Sequence, residues 1–555
     1  MSFFSIPKWV TWFGALIRLA AVLTILSVAP SVSAQSNFSL FDRALDGIGG
    51  RDALLELDRF HVSASGDTFA SNMGFMPNDV KRTSSYSRDY MVQLSTWSAR
   101  TEVTRQFTYE RRHRFPSQQY LIVTVDGVGA VSSGANPLGL PGGALPAQTV
   151  AAMEKTMRLV NPHLFLREAL EGHRTAKEGE TVLLDGQTHR VLIISDDVAP
   201  IRLLVSLETN QISRLETLVN SVTMRDSALV VTYGDWRDAG SVWFPTSIEV
   251  TIGGNFLRRE TLSSVIVSPT MTEKTFSLPV DVVVTPANSE AVRFGQDSFH
   301  IHEEFFEIAG LFYAEGAKFA TTKLAPGLYL VQDTVASGLS GLAVEHSGGV
   351  IMLEAHTSPR AADLFIEAVQ TVLPGQPITH LIQSHHHVDH SSGVRSIVAA
   401  GATVIVGHGV GDWWQGVLSA ESTIRPDSLS LNQVPIIVEE LPEGGAWTLS
   451  GKDARITAYH VGENSHAQDM VMTKIETDGQ IFVFQADLYN AGFGFTMSFD
   501  GPQAFFAAMK KHGLIDELCS SEKPLTIIPS HGRPTSLDDA LAELASLNID
   551  VGCSP

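Results

Sequence analysis

Cysteine is nearly absent from this 555-residue chain: there are two, Cys519 and Cys553, both close to the C-terminus. At most one intramolecular bridge can form, and an oxidising compartment would permit it to pin the tail; two free thiols are the equal alternative. Basic charge is also short. Lys and Arg number 39 against 60 Asp and Glu, a net charge of −21, which opposes a nucleic-acid partner whose phosphates want a basic surface. Long apolar runs are missing too. The longest near the start, Leu19 to Leu26, is too short for a comfortable membrane span. It follows Lys8 and Arg18, precedes any acidic residue (the first is Asp42), and leads to Val32-Ser33-Ala34. Residues 1–34 therefore read as a secretory signal peptide cut after Ala34, with a periplasmic or secreted location expected. There is no G-x-S-x-G elbow, no G-x-x-x-x-G-K-[ST] phosphate loop and no repeat of fixed period. What remains, 44% hydrophobic and 18% charged, is an ordinary globular composition long enough for two cores.

Histidine, by contrast, is concentrated. His385-His386-His387-Val388-Asp389-His390 reads as H-x-H-x-D-H and places four potential metal ligands in six residues. Imidazoles and a carboxylate suit zinc, iron or manganese. Ile378 to Ile382 before it reads as a buried strand, Ser391-Ser392-Gly393 after it opens a short helix, and Thr403 to Val406 is a further strand. The ligands thus fall on a strand-to-helix loop, where α/β sheets place their chemistry. In extended backbone His385 and His387 face the same way and can chelate one ion; Asp389 and His390, beyond the turn, can face a second.

Three more candidates follow. His466 precedes the strand Met470 to Ile475; Asp487 follows a hairpin with its turn at Asp478-Gly479 and its second strand at Ile481 to Gln485; His531 ends the apolar strand Leu525 to Ile528. Each lies at or beside a strand end, so one edge of the fold could gather all of them.

The order H-x-H-x-D-H, His, Asp, His resembles the metallo-β-lactamase superfamily over roughly residues 323–533. The resemblance implies an αβ/βα sandwich, with Gly327 to Val331 and Gly349 to Leu353 as its opening strands. It implies that His385, His387 and His466 hold one metal, that Asp389, His390 and His531 hold the other, and that Asp487 bridges both. Two Zn2+ are expected, with iron or manganese as alternatives, about 3.5–4 Å apart. A hydroxide between them would attack a small ester, lactone, thioester or amide, with Asp389 as the catalytic residue that orients it and accepts its proton.

The chain departs from the family after the second opening strand, where Glu354-Ala355-His356-Thr357 replaces the usual Asp followed by Thr-Gly. Glu354 could support the ligands from behind or be a plain surface carboxylate. His356, His380, His408 and His460 read as structural or pocket-lining. His387 stands where a flavin-linked di-iron branch would carry Glu, and Asp487 where many zinc β-lactamases have Cys or Ser. Three alternatives stay open: a mononuclear iron persulfide dioxygenase, a β-lactamase, and a lipid-binding protein with a vestigial metal site.

The fold class expected is α+β in two domains, residues 36–285 and 295–555, with a join near Phe276 to Phe294 where Pro279 and Pro286 punctuate the pattern. The first opens with a helix-like Phe41 to Gly50. Short alternating runs follow at Gln119 to Val125, His189 to Ile194, Ile201 to Leu207, Leu229 to Tyr233 and Thr246 to Thr251, which suggest an antiparallel sheet. Ser132 to Pro146 reads as a loop and Ala147 to Leu159 as a helix, with a break at Pro162. Tyr233-Gly234-Asp235-Trp236 and Trp243-Phe244-Pro245 resemble the curved sheets of periplasmic lipoprotein-carrier proteins. That resemblance implies a half-barrel with helices, whose apolar concave face could hold a lipid or acyl ligand; a purely structural or dimerising domain is the equal alternative. The remaining partner expected is a small-molecule substrate, and the sequence is silent on oligomeric state.

Overall fold

In the computed structural model the described residues are 39–555 apart from 71, 108–116, 133–141, 222, 273, 280–288, 299–316, 336, 433, 452, 493–499 and 554–555. The expected signal segment with its cut after Ala34, Pro286 at the join and most of the Ser132–Pro146 loop lie outside them.

The C-terminal half is built on strands whose successive side chains serve two different cores. A seven-stranded sheet runs Phe319–Ala325, Leu328–Asp333, Ser340–His346, Gly349–Leu353, Ile378–Ile382, Thr403–Val406 and Val438–Glu440, antiparallel up to the fourth strand and parallel beyond it. Gly349–Leu353 is buried along its whole length, as a strand covered on both faces must be. Val350 and Met352 pack outward with Phe365, Val369 and Trp414, while Ile351 and Leu353 pack inward. A six-stranded sheet, Ala446–Ser450, Arg455–His460, Val471–Glu476, Ile481–Gln485, Leu525–Pro529 and Thr535–Ser536, supplies the opposite inner face through Ile456, Val471, Phe482, Phe484 and Ile528. Its outer face carries Met472, Val483 and Ile527 against helices Gly501–Lys511 and Leu537–Ser546. The result is helix, sheet, sheet, helix. Ser358, ahead of Pro359–Val372, and Ser536, ahead of Leu537–Ser546, each cap their helix by accepting from a backbone N–H three residues on.

The N-terminal half is a thirteen-stranded antiparallel sheet. Its central strands are long: Lys81–Gln93, Arg59–Ala70, Asn255–Val267, Trp243–Ile252 and Arg225–Asp238. Helices Leu40–Asp46, Arg51–Glu56, Ala147–Val160 and His163–Leu170 contribute to a core with Phe60, Tyr90, Phe165, Leu215 and Phe244. The expected loop at Ser132–Pro146 differs in its described part, which adds the short edge strand Gly143–Ala144.

Leu40–Pro555 forms one compact unit. Arg225 and Asp226, at the start of strand Arg225–Asp238, are seated against residues 421–427 of the other half. Asp226 accepts from the Thr423 and Ile424 amides, and the buried Arg225 guanidinium donates to Ser422 Oγ and the Arg425 carbonyl. Cys519 and Cys553 are disulfide-bonded, with Cα atoms 5.5 Å apart.

Candidate metal centre

All seven candidate ligands lie at strand ends along one edge of the two packed sheets. His385 and His387 follow Ile378–Ile382; Asp389 and His390 open the short helix Val388–Ser391; His466 sits in the loop before Val471–Glu476; Asp487 follows Ile481–Gln485; His531 follows Leu525–Pro529. They converge as two groups. His385, His387, His466 and Asp487 offer ligand atoms all within 4.8 Å of one another, and Asp389, His390, Asp487 and His531 do the same. Asp487 belongs to both. His466 Nε2 lies 3.2 Å from His385 Nε2 and 3.2 Å from Asp487 Oδ2. His531 Nε2 lies 3.3 Å from His390 Nε2 and 3.4 Å from Asp487 Oδ1.

Buried imidazole nitrogens converging this closely on shared carboxylates suit a cation between them. Asp389 Oδ1, buried and with no hydrogen-bond partner among the described residues, adds a further oxygen donor. The donor set therefore fits divalent metal. At the second group, burial pushes the Asp389 carboxyl up, but His390 and His531 beside it outweigh burial and hold it well below the usual carboxylate range. Asp487 is held low in the same way by His390, His531 and His466. Burial and the neighbouring His387, His390 and His466 press His385 well below the ordinary imidazole value, so it is neutral, as a ligand must be. Burial acts likewise on His390, yet Asp389, Asp487 and Glu354 overcome it and raise it. A cation would replace that proton.

A carboxylate just after strand Gly349–Leu353 stands behind both groups. Glu354 is fully buried, accepts from His390 Nδ1 at 2.8 Å, and accepts from Ser384 Oγ at 2.9 Å. Ser384 Oγ in turn lies 3.1 Å from His385 Nδ1. One carboxylate thus fixes the tautomer of a histidine in each group, turning Nε2 of both toward the centre. Glu354 and His356 both have positive φ, 82° and 62°. Such backbone is costly for non-glycine residues and is here tied to the site. His356 itself is wedged between Phe319 and Phe365, and burial lowers it to about 3. It is a neutral packing residue.

His380 and His460 bond locally to Thr379 Oγ1 and the Gln468 carbonyl, and His408 faces Glu440. None of the three joins a ligand group among the described residues. Sequence reasoning passed over two features. His386, read as a spacer, is buried and donates from Nδ1 to Asp469 at 2.7 Å; Asp469, three residues after His466, was the available signal. The Gly74 carbonyl, 2.9 Å from His387 Nε2, lies 313 residues away and had none.

The model of the metallo-β-lactamase superfamily matches residues 334–466. Among solved structures, the chain is similar to a B3 metallo-β-lactamase described as the first with an active-site glutamic acid. Identity is 18%, covering 42% of this chain and 90% of that one, with a TM-score of 0.29. It is also similar to a metallo-β-lactamase from Pontibacter korlensis at 15% identity, covering 42% of this chain and all of that one, with a TM-score of 0.30. No curated protein matches the chain. The matched segment runs from the turn after Leu328–Asp333 to His466, through the H-x-H-x-D-H motif. The C-terminal half of the chain is an αβ/βα sandwich that matches the metallo-β-lactamase superfamily over residues 334–466 and carries a His/Asp cluster able to hold metal.

Proposed function

We propose that the chain is an exported hydrolase that binds two zinc ions and cleaves a small ester, lactone, thioester or amide. The observation that carries this reading is the pair of complete ligand groups sharing Asp487. Ions held there would acidify a water toward neutrality and polarise a scissile carbonyl. The chain's own residues do the rest. Asp389 Oδ2 lies 3.3 Å from His531 Nε2 and 3.4 Å from His390 Nε2, which leaves Oδ1 to orient the attacking water and receive its proton. Asp389 is also the most exposed of the ligands in ion-pair contact, its side chain at 14% against 7% for His531 and 0% for His385, so substrate approaches from the Asp389 and His531 side. The Cys519–Cys553 bond suits the oxidising compartment that export implies.

The first test is metal content by mass spectrometry on protein purified without chelator, followed by an ester, lactone and β-lactam panel. About two zinc per chain with metal-dependent turnover is the expected result. About one iron, with oxygen uptake on a persulfide, would overturn the reading. In Asp487→Ala, binding of both ions weakens and turnover falls; full metal content and activity in that variant would remove the bridging role.

A separate cavity favours a second, binding role. A partly open cavity of about 130 Å³ lies between the N-terminal sheet and helix Ala147–Val160, lined by Val103, Tyr120, Ile122, Met153 and Met157, with Arg105 in its wall. That apolar lining suits the end of an acyl chain rather than a whole one, the space being below the roughly 300–1,000 Å³ of a drug-sized ligand site. Organic extraction of the purified protein should yield a lipid that Met157→Trp excludes; equal lipid in both proteins would assign it to another site.

A further inference from the structure

The loop 72–80 between Arg59–Ala70 and Lys81–Gln93 belongs to the N-terminal sheet, yet it ends at the metal centre. Two of its backbone carbonyls are spent there. Gly74 O lies 2.9 Å from His387 Nε2, and Phe75 O accepts from the Gln468 amide at 2.8 Å, two residues after His466. The first contact falls on a member of the group His385, His387, His466 and Asp487, and the second on the backbone beside another member, His466. The loop is held in turn from its own side: Asn72 Nδ2 donates to Thr223 Oγ1 at 3.0 Å, and the Met76 amide donates to Asp79 Oδ2 at 2.9 Å. Gly74 is buried, and a Cβ there would stand 2.5 Å from Asp79 Cβ, so the close turn needs glycine.

We infer that the N-terminal sheet supplies a positioning group of the metal centre: the Gly74 carbonyl fixes the tautomer of His387. A carbonyl can only accept, so Nε2 of His387 carries the proton and Nδ1 is the atom left for the ion. His385 and His390 use the opposite arrangement, with Nδ1 donating to Ser384 and Glu354 and Nε2 facing the centre. The three histidines of the H-x-H-x-D-H motif are therefore set by acceptors from both halves of the chain. The half that carries no ligand decides how one ligand binds. Outer groups of this kind are worth about 10–100-fold in metal affinity.

This inference rests on the metal reading above, and its test separates the two. In the metal-free full-length protein, long-range 15N–1H spectra should show His387 as the Nε2–H tautomer. Gly74→Val displaces the loop; its His387 signals should become a mixture of tautomers. Zinc competition titrations on the same pair of proteins should show the tighter or weaker of two sites, the one lost in His466→Ala, weakened about 10–100-fold, and the site lost in His531→Ala unchanged. Should Gly74→Val fail to fold, Asp79→Ala, which frees the Met76 amide without a clash, is read the same way with a smaller shift. A wild-type protein that binds no zinc sinks the metal reading. A wild type that binds two zinc ions, with an Nδ1–H tautomer at His387 or with equal loss at both sites in the variant, overturns the inference alone.

Discussion

Two carboxylates outside the ligand set act differently, Glu354 by supporting the metal centre and Asp427 by holding buried guanidiniums. Glu354 reaches His390 directly and His385 through Ser384, so Glu354→Gln should weaken both ions, by about 10–100-fold each, while the fold persists. Competition titration checks it; loss at one site alone would contradict the shared support. Asp427 makes the other case. Burial raises its carboxyl, but the Arg395 and Arg225 guanidiniums outweigh burial and bring it to about 2. A depressed carboxylate contributes stability above its unfolded value near 3.8 and loses it as pH falls through about 2, here about 1 kcal/mol after solvent screening. The stability gap between wild type and Asp427→Asn in denaturant titrations should narrow as pH drops from 4 toward 2; a gap constant across that window would show the ion pair contributes nothing. The candidate ligands were legible because their type and order are local signals, and the structure brings them together in two groups. Glu354 was legible as a position and not as a role, since a buried acceptor and a surface acid look alike in sequence. Its positive φ of 82° leaves no sequence mark at all.

At the scale of elements, periodicity reported what it could. Ile378–Ile382, Thr403–Val406 and Ile481–Gln485 were readable to the residue because they are short, apolar and bounded by turn signals. The long strands of the N-terminal sheet were not. Lys81–Gln93 buries Thr83, Ser84, Tyr86 and Tyr90 with one aliphatic residue, Val92, and Thr68 Oγ1 meets Thr83 and Ser84 hydroxyls at 2.9 and 2.7 Å. A hydroxyl ladder of this kind satisfies itself once paired and gives no apolar alternation before pairing. The disulfide lay equally beyond spacing, which is silent on distance. It closes a 34-residue separation and ties the segment after helix Leu537–Ser546 to the loop after Gly501–Lys511. A loop of that length restricts the unfolded chain by roughly 3–4 kcal/mol. Cys553→Ser should therefore lower the unfolding midpoint of the C-terminal sandwich and leave zinc content untouched. An unchanged midpoint, or lost metal, would assign the bond another role.

Among the described residues, two places of different kind join the two sheet systems. At one, Arg225 and Asp226 grip residues 421–427, and Arg225 and Arg395 share Asp427 within 3.5 and 2.5 Å. At the other, loop 72–80 bonds to His387 and Gln468 at the metal centre. The first is a buried ionic joint, strongly destabilising when one partner is removed because the remaining charge is left without its counter-ion. The second ties folding of the N-terminal sheet to occupancy of a site it does not ligate. Linkage then gives the direction: an ion that binds only the folded state adds about 4 kcal/mol at a thousandfold excess over its Kd, and that stabilisation spreads to whatever unfolds with the site. With both joints intact, removal of metal by chelator should lower the unfolding midpoint of the N-terminal sheet as well as that of the sandwich, read by hydrogen exchange at Phe60, Tyr90 and Phe244 in one core and Ile351 and Phe484 in the other. Gly74→Val, which displaces the loop, should uncouple them, leaving the N-terminal amides insensitive to chelator while those of the sandwich still respond. N-terminal amides that ignore chelator in the wild type would mean the two halves unfold independently and the loop contact is too weak to transmit.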